Sequence, residues 1–155
     1  MIHDKQSGHI GGSFSLAEVV SYLYNNYNLV EDNKDKLILS KGHAVPILYA
    51  ALYEMGLIDT LDDFREVNSQ LQGHPDKTRL KYMHATTGAL GQGLSIGIGH
   101  ALAYRLKCFV FWVMVRSRRD RYGKHLCWHR STTSITFIAS LTITSLRMMG
   151  LSKIF

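Results

Sequence analysis

The chain has little of what would mark it as secreted, fibrous or membrane-bound. Its two cysteines, Cys108 and Cys127, cannot build a disulfide framework, and so few thiols suit a reducing, cytoplasmic setting. Only two prolines occur among 155 residues, with 13 glycines in no three-residue period, which excludes collagen. The longest apolar run, residues 108–115, is eight residues, far below the ~20 a membrane-spanning helix needs. Met1-Ile2-His3-Asp4-Lys5 contains no apolar h-region, so no secretory leader is expected. Acidic residues are scarce at one end only: residues 1–107 carry ten Lys+Arg against eleven Asp+Glu, and residues 108–155 carry eight against one. The net charge of +6 is therefore a property of the last third. Its main cluster, Arg116-Ser117-Arg118-Arg119-Asp120-Arg121, lacks the interleaved aromatics of a single-strand stacking surface, so neither nucleic acid nor a membrane is expected as a partner. With 46% hydrophobic and 19% charged residues, the composition is that of a folded core.

What is present reads as helices and loops alternating with strands. Ser15 and Glu18 have capping-box spacing. After them Leu16, Val19, Val20, Leu23, Tyr24 and Tyr27 recur at helical period. Leu37-Ile38-Leu39 is a short buried-strand candidate. Pro46 suits the first turn of a helix whose apolar side is Ile47, Leu48, Ala51, Leu52 and Met55, with Gly56 as its stop. Thr60 is expected to open a short helix. Residues 91–107 read as a glycine-rich helix entry with Leu94, Ile98, Ala101, Leu102 and Leu106 inward. Residues 108–115 read as a strand buried on both faces, as in parallel sheets. Helix–strand alternation around such strands predicts an α/β fold. Further on, residues 135–145 alternate Ser/Thr with apolar residues and suit a strand locally.

Candidate chemistry concentrates in four loops. Ser7-Gly8-His9-Ile10-Gly11-Gly12-Ser13 sets a histidine among glycines before a helix, where backbone and ligand can approach closely. Ser40-Lys41-Gly42-His43-Ala44 follows a strand and precedes a helix, at the ligand-facing edge of an α/β sheet. Gln72-Gly73-His74-Pro75 is the third. Thr86-Thr87-Gly88-Ala89-Leu90-Gly91-Gln92-Gly93 is the fourth, and it breaks the dinucleotide fingerprint because Ile96 stands where the third glycine belongs. Taken singly, a loop histidine is more often a turn or hydrogen-bonding residue. The alternation His125, Cys127, His129 lacks zinc-site spacing. His3, His84 and His100 receive no role.

Together, and in this order, the loops resemble the N-terminal, thiamine-diphosphate-binding section of transketolase. The resemblance rests on SGHIGGSFSLAE (residues 7–18), LILSKGHAVPILYAAL (37–52), LQGHP (71–75) and ATTGALGQGLSIGIGHALA (85–103), with Ile10 replacing the proline usual in the first. It implies a three-layer α/β fold, a parallel sheet flanked by helices, here in an incomplete form. It implies transfer of a two-carbon ketol unit between sugar phosphates, with thiamine diphosphate as electron sink. By motif, His9 and His43 resemble the catalytic histidines, His9 also on the substrate side and His43 at the cofactor diphosphate. His74 resembles a histidine that binds donor-sugar hydroxyls. Gly88, Ala89 and Leu90 resemble the segment that binds the cofactor's aminopyrimidine. The implied partner is a C-terminal transketolase subunit, or a second copy in a homodimer.

The pattern then departs from the family. Where the family follows its strand with a G-D-G-E motif and later an asparagine, both ligands of a divalent cation such as magnesium, this chain continues Val115-Arg116-Ser117-Arg118-Arg119-Asp120. Residues 108–155 contain no asparagine, and Asp120 is their one acid; no metal ligand is assigned. Met1-Ile2-His3 resembles the middle of the family's first helix, and the second domain with its cofactor-activating glutamate is not matched. The expected organisation is a partial diphosphate-binding domain over residues 1–115 and a basic, Ser/Thr-rich, loosely packed tail over 116–155, of the kind a shifted reading frame leaves. Three readings stay open: one half of a two-chain transketolase, inactive alone; a catalytically dead relative; or a basic-tailed module for nucleic acid or a membrane surface.

Overall fold

The computed structural model describes residues 1–32, 34–104 and 107–111 in full, and the backbone of 112–113 and 137–142 as strand. Two helices, α1 (Ile10–Phe14) and α2 (Ala17–Asn26), precede strand β1 (Lys36–Leu39). A 3₁₀ turn (Gly42–Ala44) leads into α3 (Pro46–Glu54), and α4 (Gln92–Tyr104) precedes β2 (Cys108–Val113) and β3 (Phe137–Thr142). Among the described residues the sheet runs β1-β2-β3. Both pairs are parallel, in register from Lys36↔Cys108 to Leu39↔Phe111 and from Cys108↔Phe137 to Val113↔Thr142. The expectation of an α/β fold with the two apolar strands as parallel neighbours holds. The strand expected within residues 135–145 is found at β3.

The pleat sorts the core into two clusters. Leu37, Leu39, Phe109 and Phe111 pack with Leu16, Val20 and Leu23 from around α2 and with Leu48, Tyr49 and Leu52 of α3. Ile38, Cys108 and Val110 pack with Leu94, Ile98 and Ala101 of α4. Alternate strand residues thus face opposite helical layers, which explains why neither β1 nor β2 shows a polar face.

Several local expectations need correcting. Ser15 does not cap α2: Leu16 occupies that position with no side-chain cap bond, and the Ser15 hydroxyl donates to Gly12 O at 2.9 Å. Chain geometry accounts for this, because Ser15 is already the C-cap of α1. No helix opens at Thr60. The Thr60 hydroxyl accepts from Asp62 N at 3.1 Å, but the chain turns away at Arg65 (φ 63°) and Asn68 (φ 68°), left-handed conformations that a helix cannot contain. Val19, Met55 and Leu102 are exposed rather than inward. In α3 the buried stripe is Leu48, Tyr49 and Leu52, which leaves Met55 past the helix end. Leu106, the boundary at 115/116 and the tail outside β3 lie outside the described residues.

His84, given no role from sequence, supports the sheet edge. It is buried, and its Nδ1 accepts the backbone N–H of Leu37 at 2.8 Å, so β1 has a partner on the side away from β2. Burial and the nearby Lys36 charge push its pKa down to about 4. The folded value lies below the ordinary 6.5, so the unfolded chain binds the extra proton. The stability that this group contributes should be level above pH 6.5 and fall between pH 6.5 and 4, by about 3 kcal/mol. Denaturant titrations at pH 7 and pH 4.5 should show the loss. His84→Asn, whose side-chain oxygen can accept from Leu37 N without titrating, should shrink it.

Candidate active site

The four loops meet beyond the carboxyl ends of β1 and β2. The backbone N–H of Lys41, just past β1, donates to Phe111 O at 3.2 Å, so the 3₁₀ turn carrying His43 starts from a fixed point on the sheet. Gly42 lies where two other loops close in. A Cβ at this position would come within 2.8 Å of Thr87 O and 2.9 Å of His74 Cδ2, so only glycine lets the third and fourth loops touch the turn. Thr87 secures the contact from its side: its hydroxyl donates to Leu39 O at 2.6 Å and its N–H to Pro75 O at 3.2 Å. At the helix beyond, Gly93 N donates to the Ser40 hydroxyl at 3.1 Å.

The first loop arrives from the other side. His9 is the N-cap residue of α1 but makes no capping bond with its side chain, which leaves the ring available. Its centroid lies 6.1 Å from that of His43, edge to face at 73°. Gly12 lies beneath both rings: a Cβ there would touch His43 Nε2 and His9 Cδ2 at 3.4 Å each. The Ser13 hydroxyl, buried, donates to Ala44 O at 3.3 Å, and this stitches α1 to the turn.

His43 is half-buried, with its pKa held below the usual imidazole range first by burial and then by the neighbouring His9, Lys41 and His74. It is therefore neutral at pH 7, with one ring nitrogen to donate and one to accept. His9 and His74 are exposed. The structure thus brings together His9, His43, His74 and Gly88, whose own Cβ position is 3.8 Å from His74 Cδ2. Ala89 and Leu90 continue the exposed run without a described contact to the imidazoles; Ala89 O accepts from Gln92 N at 3.4 Å as α4 begins.

Two residues at the site were missed in the sequence. Lys41 is 1% exposed, and its ammonium donates to Gly12 O at 3.1 Å and to the Ser15 hydroxyl at 2.9 Å. Burial pulls its pKa down to about 8. Arg65 donates to the Ser7 hydroxyl at 2.8 Å, and its guanidinium lies 2.9 Å from where a Cβ on Gly73 would stand. Its backbone N–H also donates to Leu71 O at 2.8 Å, so Arg65 joins the His9 loop to the segment that leads into His74. Position inside the Ser40-Lys41-Gly42-His43 loop was the available signal for Lys41; Arg65 offered none.

The donor set suits a neutral heteroaromatic ring and hydroxyl groups: imidazoles at the loop ends and the bare backbone at Gly88, open on its outer side. It does not suit a divalent cation. Among the described residues no three His, Cys, Asp or Glu side chains converge.

Comparison with known proteins gives the family. The chain belongs to the transketolase family: the family model described as transketolase, thiamine diphosphate binding domain, matches residues 1–112. It is 40% identical over 107 residues to the 6-deoxy-6-sulfo-D-fructose transketolase subunit SqwG of a Clostridium species, covering 64% of this chain and 39% of that protein. An apulose-4-phosphate transketolase subunit of Phocaeicola vulgatus is 36% identical over 114 residues, 68% of this chain and 40% of that one. The transketolase of Treponema pallidum is 40% identical over 111 residues, 66% of this chain and 17% of that one. The chain therefore spans about two fifths of the two relatives named as subunits, and under a fifth of the Treponema enzyme. No solved structure matches. Among the described residues, no helix is long and apolar enough to cross a membrane.

Proposed function

We propose that the chain is the N-terminal component of a cytoplasmic, thiamine-diphosphate-dependent ketol transferase acting on sugar phosphates, completed by a C-terminal transketolase subunit or by a second copy, and inactive alone. On this reading the α/β frame is an incomplete thiamine-diphosphate-binding fold. The observation that carries it is the pairing of the His9 and His43 rings, with His74 and Thr87 closing on the turn at Gly42 and Gly88 next to His74. The names of two relatives as subunits support the two-chain form.

Thiamine diphosphate, when bound, supplies a nucleophilic carbon and an electron sink. The chain's own residues supply the rest. His43, neutral at pH 7, can give or take a proton at Nε2, the atom facing the space that a Cβ on Gly12 would fill. His9, one ring away, presents an imidazole to the substrate side and can pass a proton to or from a hydroxyl. His74 can donate to or accept from donor-sugar hydroxyls. Gly88, Ala89 and Leu90 offer backbone groups to the aminopyrimidine and, at Leu90, an apolar side chain. The cation is the exception: its ligands in the family follow β2, where this chain reads Met114-Val115-Arg116-Ser117, and no step is assigned to a metal. The test is a coupled ketose-to-aldose assay on the chain with a Gly-Asp-Gly-bearing segment grafted after Val113, in the presence of a C-terminal transketolase subunit, comparing this active preparation with its His9→Ala variant. Turnover that falls in the variant supports the reading, and equal turnover refutes the role of His9.

A second reading, a catalytically dead relative, is favoured by one observation. The match to the family model ends at residue 112, close to where the sequence turns basic and loses its acids. Reading the gene across codon 115 separates the two. A Gly-Asp-Gly in another frame supports the dead relative; an unbroken, expressed frame with no such motif supports the component.

A further inference from the structure

A lysine ammonium that is 1% exposed has lost most of its hydration, and such a group stays buried only where acceptors replace water. The acceptors of Lys41 lie in an informative place. Gly12 O is passed over within α1, because Leu16 N bonds Ser13 O at 3.0 Å and Ser15 N bonds Gly11 O at 3.1 Å. Lys41 Nζ and the Ser15 hydroxyl both donate to this carbonyl, and Nζ also donates to the Ser15 oxygen. Three groups thus close a small ring of hydrogen bonds. One corner belongs to the residue just past β1, and the other two belong to α1 and its C-cap. The backbone of that same lysine is bonded to β2 through Phe111 O, so the clamp is anchored in the sheet.

The residue it grips faces both imidazoles across the space a Cβ would fill. A side chain at Gly12 would stand within van der Waals contact of both the His9 and His43 rings. His9 opens α1, and His43 follows Lys41 by two residues. Any shift of α1 against the sheet must change the distance between the two rings. We infer that Lys41 is a positioning residue: through Gly12 and Ser15 it sets the seat of α1 and so the spacing of the His9–His43 pair. Its importance for catalysis rests on the proposed function, but the geometry does not.

The clamp can be separated from ordinary stabilisation. Lys41→Met keeps length and volume while removing the charge, and Gly12 O keeps the Ser15 hydroxyl as a donor, so the carbonyl is not left unpaired. In this chain, the expected result is a variant that still folds, with loss of the proton–proton cross-relaxation signal between the His9 and His43 rings in NMR spectra. A folded Lys41→Met chain that keeps this signal at wild-type strength overturns the inference. Should that variant fail to fold, Ser15→Ala decides: it removes one corner at an exposed residue, a weakened ring–ring signal supports the clamp, and an unchanged one overturns it. No cofactor, partner or turnover enters this readout. A chain that shows the NMR effect yet supports no ketol transfer when given a metal-binding segment and a C-terminal transketolase subunit would refute the proposed function and leave the clamp standing.

Discussion

Replacing His43 by alanine should lower ketol-transfer turnover of the completed enzyme by about 10²–10⁴, the usual worth of a positioned proton-transfer or charge-stabilising group. His43 is half-buried beside His9, Lys41 and His74, and burial leads the causes that keep it neutral at pH 7. Alanine removes both ring nitrogens and opens a gap next to Gly12, while the backbone of the 3₁₀ turn, bonded through Ala44 N to Lys41 O and Val45 N to Gly42 O, stays intact. The loss should therefore fall on kcat, with Tm near wild type. A variant with unchanged kinetics removes His43 from the active site.

Gly93→Ala should produce the largest loss of stability. A Cβ there would stand 2.4 Å from Ser40 Cβ and 2.7 Å from Ser40 Cα. The second of these atoms is backbone, so no rotamer change relieves the clash. Either α4 lifts from the end of β1 or the strand moves, and the bond from Gly93 N to the Ser40 hydroxyl is lost in both cases. Overpacking of this kind costs about 2–3 kcal/mol even after the better helix propensity of alanine, a fall of about 5–10 °C in Tm for a chain this size. Gly99→Ala is the internal control. It lies on the same helix with nothing within 4 Å of its Cβ, and it should be neutral or stabilising. Equal Tm values for the two variants would mean that α4 does not sit on Ser40 as described.

The parts of the fold that were legible from sequence are those where one physical requirement dominates. Leu37–Leu39 and the run from Cys108 had to be strands buried on both faces, because an apolar run that short fits little else. Pro46 and Gly56 bracketed α3 through fixed and left-handed backbone. Where two local signals compete, pattern alone misleads. Ser15 carries a capping signature, but its hydroxyl belongs to the end of α1. Thr60 does form its local turn, and the left-handed Arg65 and Asn68 then deny a helix. In α4 the helical period alone could not tell that Leu102 stays exposed while Leu94, Ile98 and Ala101 pack against β1 and β2.

The candidate site was legible as a set of loops, and only because all four occur in order. None of His9, His43 or His74 is distinctive alone, and their convergence depends on glycines whose value is spatial: Gly12 under two rings, Gly42 between three loops. Lys41 was out of reach for a different reason. Lysine is ordinarily solvated, and nothing in Ser40-Lys41-Gly42 says that its ammonium turns inward to α1. His84 likewise reads as one loop histidine among eight until the outer edge of β1 shows what it bonds.

If this chain holds one half of a ketol-transfer site, it needs the other half supplied before it can turn over. The decisive experiment is a coupled assay of ketose-to-aldose transfer, run with thiamine diphosphate and magnesium on two preparations. One is the purified chain alone. The other is the chain with a Gly-Asp-Gly-bearing segment grafted after Val113, mixed with a C-terminal transketolase subunit. The first should show no turnover, and the second should show turnover that His43→Ala lowers by about 10²–10⁴. Measurable turnover by the unaltered chain alone, abolished by His9→Ala or His43→Ala, would mean instead that the site is already complete.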